Sequence, residues 1–143
     1  MTRGTELSAA IVDRLRSITQ ANGAHTEVKQ VYGFGERKPD KAVPPYLLVR
    51  IMDDATAEMV GTAVLREARY EIEGVLPRSC ALTDLQLLHY DIHKTLGTGQ
   101  LPHTRPLKPG WPYEESAEFT SEQDGSTERS VISSITIRYI ETY

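Results

Sequence analysis

His89 and His93 lie four positions apart in the segment His89-Tyr90-Asp91-Ile92-His93. On a helix that spacing puts both imidazoles on one face, where they could share a transition-metal ion. The zinc-protease pattern also needs a glutamate directly after the first histidine to act as the base, and Tyr90 stands there. No third ligand is visible at a sensible spacing, and on a helical wheel His89 falls among Leu85, Ile92 and Leu96. These residues predict a partly buried, hydrogen-bonded histidine pair, with no metal and no cofactor.

The other candidates for chemistry meet simpler explanations. Cys80 is the single cysteine, in Pro77-Arg78-Ser79-Cys80-Ala81 just before an apolar helical pattern. A helix start and a nearby arginine can depress a thiol pKa, but no histidine or Asn/Asp partner for nucleophilic catalysis is identifiable. A small buried thiol is the expectation. Gly33-Phe34-Gly35-Glu36-Arg37 lacks the third glycine of a dinucleotide fingerprint and the Gly-Lys-Ser/Thr of a phosphate loop. It runs into prolines instead of a helix, so no helix N-terminus would face a phosphate, and a turn is expected. Glu67, Glu71 and Glu73 alternate with Arg69 among them. Paired acids do general acid–base work only when positioned and shifted in pKa, and this pattern predicts a solvated or interface surface instead. Trp111 and Tyr113, beside Pro109, would either pack back on the core or anchor a neighbouring subunit. The chain is expected to have no catalytic residues.

The elements that would hold these residues follow from periodicity. Leu7, Ile11, Leu15 and Ile18 share one helical face, which predicts a helix over about 5–21, capped by Thr5 and stopped at Asn22-Gly23. A strand is expected over about 26–34. A loop over 35–45 carries Arg37, Lys38 and Lys41, with Glu36, Asp40 and several prolines. The apolar run from Tyr46 to Met52 predicts a buried central strand, ended by a turn or long loop at Asp53-Asp54. Residues 63–75 alternate: Val64, Ala68, Tyr70, Ile72 and Gly74 point one way, and Leu65, Glu67, Arg69, Glu71 and Glu73 the other. A second helix is expected over 83–96, capped by Thr83 and stopped by Gly97. A long Pro-rich loop spans 97–113, and a hairpin with arms over about 115–122 and 128–143 turns at Gln123-Asp124-Gly125-Ser126.

The order is α-β-β-β-α-β-β, which predicts an α+β fold: a mostly antiparallel sheet of about five strands with two helices on one face. The 143 residues suit one domain, with extended loops at about 35–45 and 97–113. Apolar residues make up 39% and charged residues 25%, ordinary for a globular chain, so global disorder is not expected. A net charge of −4 argues against a dedicated duplex-DNA binder, which needs a basic footprint. The absence of an apolar leader, of a membrane-length apolar run and of paired cysteines predicts folding in a reducing cytoplasm.

This layout resembles the tail terminator, or tail completion, proteins of long-tailed bacteriophages. The likeness lies in the opening Ala9-Ala10-Ile11-Val12-Asp13-Arg14-Leu15, then Pro44-Pro45-Tyr46-Leu47-Leu48-Val49. Arg69-Tyr70-Glu71-Ile72-Glu73-Gly74-Val75 follows, then the helix end Ile92-His93-Lys94-Thr95-Leu96, and last Ile135-Thr136-Ile137-Arg138-Tyr139. It covers most of the chain without a signature motif. The resemblance implies a structural virion protein, a hexameric ring made of copies of itself. The ring would cap the tail tube and meet a head-completion or connector protein, with DNA passing the lumen without sequence recognition and no membrane involved. It would assemble in the host cytoplasm and reside in the virion neck. The subunit and partner contacts expected are Arg37, Lys38 and Lys41 in the 35–45 loop, the strand face of Glu67, Arg69, Glu71 and Glu73, and Trp111 and Tyr113. Another neck or tube component, or a small non-enzymatic adaptor, is the alternative on the same residues.

Overall fold

The computed structural model describes residues 2–34, 36–97, 101–104, 113–120 and 128–143, with the backbone alone for Val60, Tyr113 and Glu115. The first helix, α1 (Arg3–Leu15), starts and stops earlier than its apolar stripe suggests. Thr2, not Thr5, is the N-cap, its hydroxyl accepting the Thr5 N–H at 3.2 Å. The helix ends where the Ser17 hydroxyl bonds the Arg14 carbonyl at 2.6 Å, competing with the next helical turn. Ile18 is still fully buried, but it reaches the core from a turn that leads into a short 3-10 segment, Gln20–Asn22. Gly23 closes that segment at φ 88°, a left-handed geometry that suits glycine.

The strands are β1 (Gln30–Tyr32), β2 (Tyr46–Val60), β3 (Ala63–Pro77), β4 (Tyr113–Phe119) and β5 (Glu128–Thr142), and α2 (Leu82–Leu96) lies between β3 and β4. Among the described residues they form one five-stranded sheet in the order β1-β2-β3-β5-β4. Every pairing is antiparallel except β1 with β2. The fold is therefore α+β with a mostly antiparallel sheet, as the element order predicts. β1 is shorter than expected because Val28 and Lys29 bond to Ile18 and Pro45 carbonyls instead of a regular ladder.

The turn expected at Asp53-Asp54 is not there. β2 runs through both aspartates, and the hairpin closes at Gly61-Thr62, with Val60 opposite Ala63 and Gly61 at φ 62°. Asp54 stays in the strand because its carboxylate accepts the Arg66 guanidinium from the facing strand at 2.6 Å. The Tyr46–Met52 run is not buried on both sides either. Leu47 and Val49 are buried, while Ile51 and Met52 are exposed. β2, β3 and β5 thus make a ribbon of 15-residue strands, roughly 50 Å long at about 3.3 Å per residue.

Both helices pack on the face that carries Ala68, Tyr70, Ile72, Val131, Ile135 and Ile137. α1 lies over one end of the ribbon, where the Ser8 hydroxyl meets the Tyr70 hydroxyl at 3.1 Å. α2 lies over the other end, where Leu88 sits on Gly74. A Cβ at Gly74 would stand 2.6 Å from Leu88 Cδ2 and 3.3 Å from Leu47 Cδ2, and both leucines are fully buried. Gly74→Val is expected to cost about 2 kcal/mol through overpacking, although valine favours strands. A denaturation midpoint equal to wild type would show that α2 can move aside.

α2 begins at Leu82 and not at a Thr83 cap. Asp84 supplies the capping group, its carboxylate accepting the Ala81 N–H at 2.8 Å. In the 97–113 segment, Leu101 and Thr104 are buried, and the His103 carbonyl accepts the Ile140 N–H at 3.0 Å. The expected turn at Gln123–Ser126 lies outside the described residues.

Candidate functional site

Helix α1 covers β3 and β5 but leaves the far half of β2 open. Between them lies a groove of about 820 Å³ whose apolar lining includes Val12, Phe34, Ile51, Tyr70 and Tyr139. Register explains the Ile51 wall: Ile51 is opposite Tyr70 and projects to the helix side of the sheet, and Met59, opposite Val64, projects to the same side outside the groove's lining. Both are exposed, at 45% and 68%. Gly33 lets the chain pass closely under α1, since a Cβ there would stand 2.8 Å from Val12 Cγ2. Phe34 sits in a turn, with the Glu36 N–H bonded to the Gly33 carbonyl; Gly35 lies outside the described residues.

The polar groups of the groove are committed to one another. Asp54 accepts Arg66 through Oδ1 at 2.6 Å and the Tyr139 hydroxyl through Oδ2 at 2.5 Å. Burial, then that carboxylate, raises the Tyr139 pKa, so its hydroxyl remains a donor at neutral pH. The arrangement braces the groove wall and leaves neither Asp54 oxygen without a partner.

At the groove's edge Glu141 takes the N–H groups of Gly4 at 3.1 Å and Arg3 at 3.3 Å, at the positive end of α1. Burial alone would raise the Glu141 pKa; the backbone donors outweigh it and hold the carboxyl below the usual range. A depressed carboxyl contributes stability that is present above its unfolded pKa and lost as pH falls through the folded value. Glu141→Gln is therefore expected to cost about 1 kcal/mol at neutral pH and to lose that difference in strong acid. Melting curves across that range check it; an equal deficit at every pH would contradict the electrostatic origin.

The opposite sheet face carries the expected Glu67, Arg69, Glu71 and Glu73, and each finds a cross-strand partner. Glu67 pairs with Arg138 at 3.1 Å, Arg69 with Asp53 at 3.0 Å, and Arg50 bridges Glu73 at 3.1 Å and Glu71 at 3.5 Å. These are exposed or half-buried pairs of the kind that steer and orient contacts more than they stabilise a fold. In the 35–45 loop Arg37 and Lys41 are exposed, and the Lys38 ammonium sits 5.5 Å from the Tyr46 ring centre. Tyr46 is opposite Val75, on the same sheet face as Glu73, so the loop borders the acidic strand face at that end of the sheet. Trp111 lies outside the described residues, and of Tyr113 only the backbone in β4 is described. Cys80 is half-buried against the core. Burial pushes its thiol pKa up, and the nearby Arg129 only partly offsets this, so it is a packing residue and not an activated nucleophile.

The histidine pair is partly buried and hydrogen-bonded, as the sequence predicts, but it is not without a third potential ligand. His89 and His93 do have a third partner, Glu114 on β4, and a fourth polar neighbour, Ser133 on β5. Sequence spacing missed Glu114 because β4 carries an extra residue between Glu114 and Ser116. That bulge places Glu114 on the helix side together with Ala117, whereas regular alternation would have pointed it away. The available signal was Ser133, a polar residue interrupting the apolar face of β5 and fully buried. Among the described residues no helix is long and apolar enough to cross a membrane.

No family model matches the chain, and no curated protein matches it.

Proposed function

We propose that the chain is a structural subunit of a closed ring that terminates a bacteriophage tail tube and joins it to the head. The observation that supports this reading is an open apolar groove beside the long outer edge of β2, which among the described residues pairs with β1 only over Tyr46–Leu48. Ile51 lines the groove, and Met52 and Met59 stand exposed on the same hairpin. A head-to-tail ring needs two different complementary patches on each copy, and a groove with an open strand edge beside it meets that need. The α+β order matches what the family resemblance implies. The ion-paired sheet face gives a second, polar surface suited to a neighbouring ring, the tail tube or a head-completion protein. A chain of net charge −4 suits a conduit that lets DNA pass without holding it. In this reading the protein has no catalytic role, assembles in the host cytoplasm and ends in the virion neck.

Arg37, Lys38 and Lys41 are assigned to the contact with the tube or the adjacent ring. Reversing all three charges is expected to leave the fold intact and abolish capping of tubes formed by the tube protein encoded beside this gene. Capping at wild-type efficiency would refute the assignment. Flanking genes for tail and head-completion proteins are expected; an operon of metabolic enzymes would overturn the functional reading. Flanking genes together with a position within the neck would separate a terminator from a connector or tube subunit.

A further inference from the structure

The geometry points to a structural site for a zinc-class divalent transition-metal ion at His89, His93 and Glu114, clasping α2 to the edge strand β4. This inference does not rest on the ring reading. The Nε2 atoms of both imidazoles and the Ser133 hydroxyl converge on a single atom, Glu114 Oε2. His89 approaches it at 2.8 Å and Ser133 at 2.5 Å, with His93 in direct contact. Ser133 also reaches His93 Nε2 at 3.0 Å. The two imidazoles come from one helical face with ring centres 4.7 Å apart.

The ligand set has the right chemistry. Two imidazole nitrogens and a carboxylate oxygen are hard-to-borderline donors that zinc accepts in tetrahedral geometry. The three donor atoms lie within 4.8 Å of one another. Ligands around a tetrahedral zinc stand roughly 3.3 Å apart, so small side-chain rotations would admit the ion. Facing the Glu114 carboxylate, each Nε2 carries the proton in the metal-free cluster; on binding, the neutral imidazole passes that proton to solvent, takes one up on Nδ1 and gives its Nε2 lone pair to the metal, so no net proton is released from the histidines. Ser133 is then placed to hold a water in the fourth position. The side chains are 23–26% exposed, shielded yet open to an ion from solvent.

Three features concentrate on this one point: the bulge that aims Glu114 inward, the buried Ser133 in an apolar strand face, and the paired histidines. A hydrogen-bonded histidine in a core needs one acceptor; this cluster is drawn from α2, β4 and β5 together. The ion would tie β4, which among the described residues has a ladder with β5 alone, to the helix above it.

The test is titration of the chelator-treated full chain with zinc and with cobalt. One equivalent is expected to bind, cobalt giving the intense visible bands of a tetrahedral N/O site, and zinc raising the melting temperature. Glu114→Gln, nearly isosteric, and His93→Ala are each expected to weaken zinc binding by more than about 100-fold, beyond what loss of a supporting residue costs. His103→Ala, remote from the cluster, keeps wild-type binding. Failure of the wild-type chain to take up one equivalent overturns the site. Binding by folded Glu114→Gln equal to wild type does the same, and Glu114→Gln decides the matter if His93→Ala does not fold.

Discussion

Asp91→Ala is expected to lower the stability of the domain by about 3 kcal/mol, or about 10 °C in melting temperature for a chain of this size. Asp91 is 2% exposed, yet it is a carboxylate in the middle of α2. Its Oδ2 accepts the backbone N–H groups of His25 at 3.0 Å and Thr26 at 2.9 Å, and its Oδ1 faces His25 Nδ1 at 3.0 Å. It therefore pins the segment between the 3-10 turn and β1 onto the helix. Alanine would leave two backbone donors without their acceptor, each worth about 1–3 kcal/mol where water cannot replace it. Asp91→Asn keeps the shape and one acceptor oxygen, and about half the loss is expected from it. Thermal unfolding of the three proteins checks the series; equal midpoints would show that the segment is not held by this carboxylate.

The second large effect falls on assembly and not on folding. Ile51→Asp with Met59→Asp is expected to leave stability within about 0.5 kcal/mol, because both side chains already face solvent in the isolated subunit. The same pair should weaken subunit association by at least about 100-fold, since each buries a carboxylate in an apolar contact. Sedimentation of wild type and variant over a concentration series measures this. Unchanged association would remove the groove and hairpin from the interface.

The element order and the faces of β3 were legible in the sequence because period-two alternation at Val64, Ala68, Tyr70 and Ile72 depends on local geometry alone. The apolar stripe of α1 was legible too, but its end was not. Ile18 obeys the helical period while reaching the core from a turn, so periodicity could not mark the break at Ser17. The position of the β2 turn was hidden because Asp53 and Asp54 resemble turn residues in isolation; their partners, Arg69 and Arg66, are on the facing strand. Glu114 and Asp91 were illegible for the same reason. One is aimed by a bulge whose register depends on β5, the other is buried by a segment that crosses α2 from far away in the chain. What spacing alone cannot supply is the partner across a sheet or beneath a helix. That is also why the charged face of β3 could be foreseen as a surface while its matching to Arg50 and Arg138 could not.

The central claim is that this domain closes on copies of itself. Electron microscopy of the concentrated protein, alone and on tail tubes, tests it most directly. Rings with six-fold symmetry are expected, in which the β2–β3 hairpin of one copy meets the groove beside α1 of the next. A monomer under both conditions, or a ring that leaves the groove facing solvent, would contradict it.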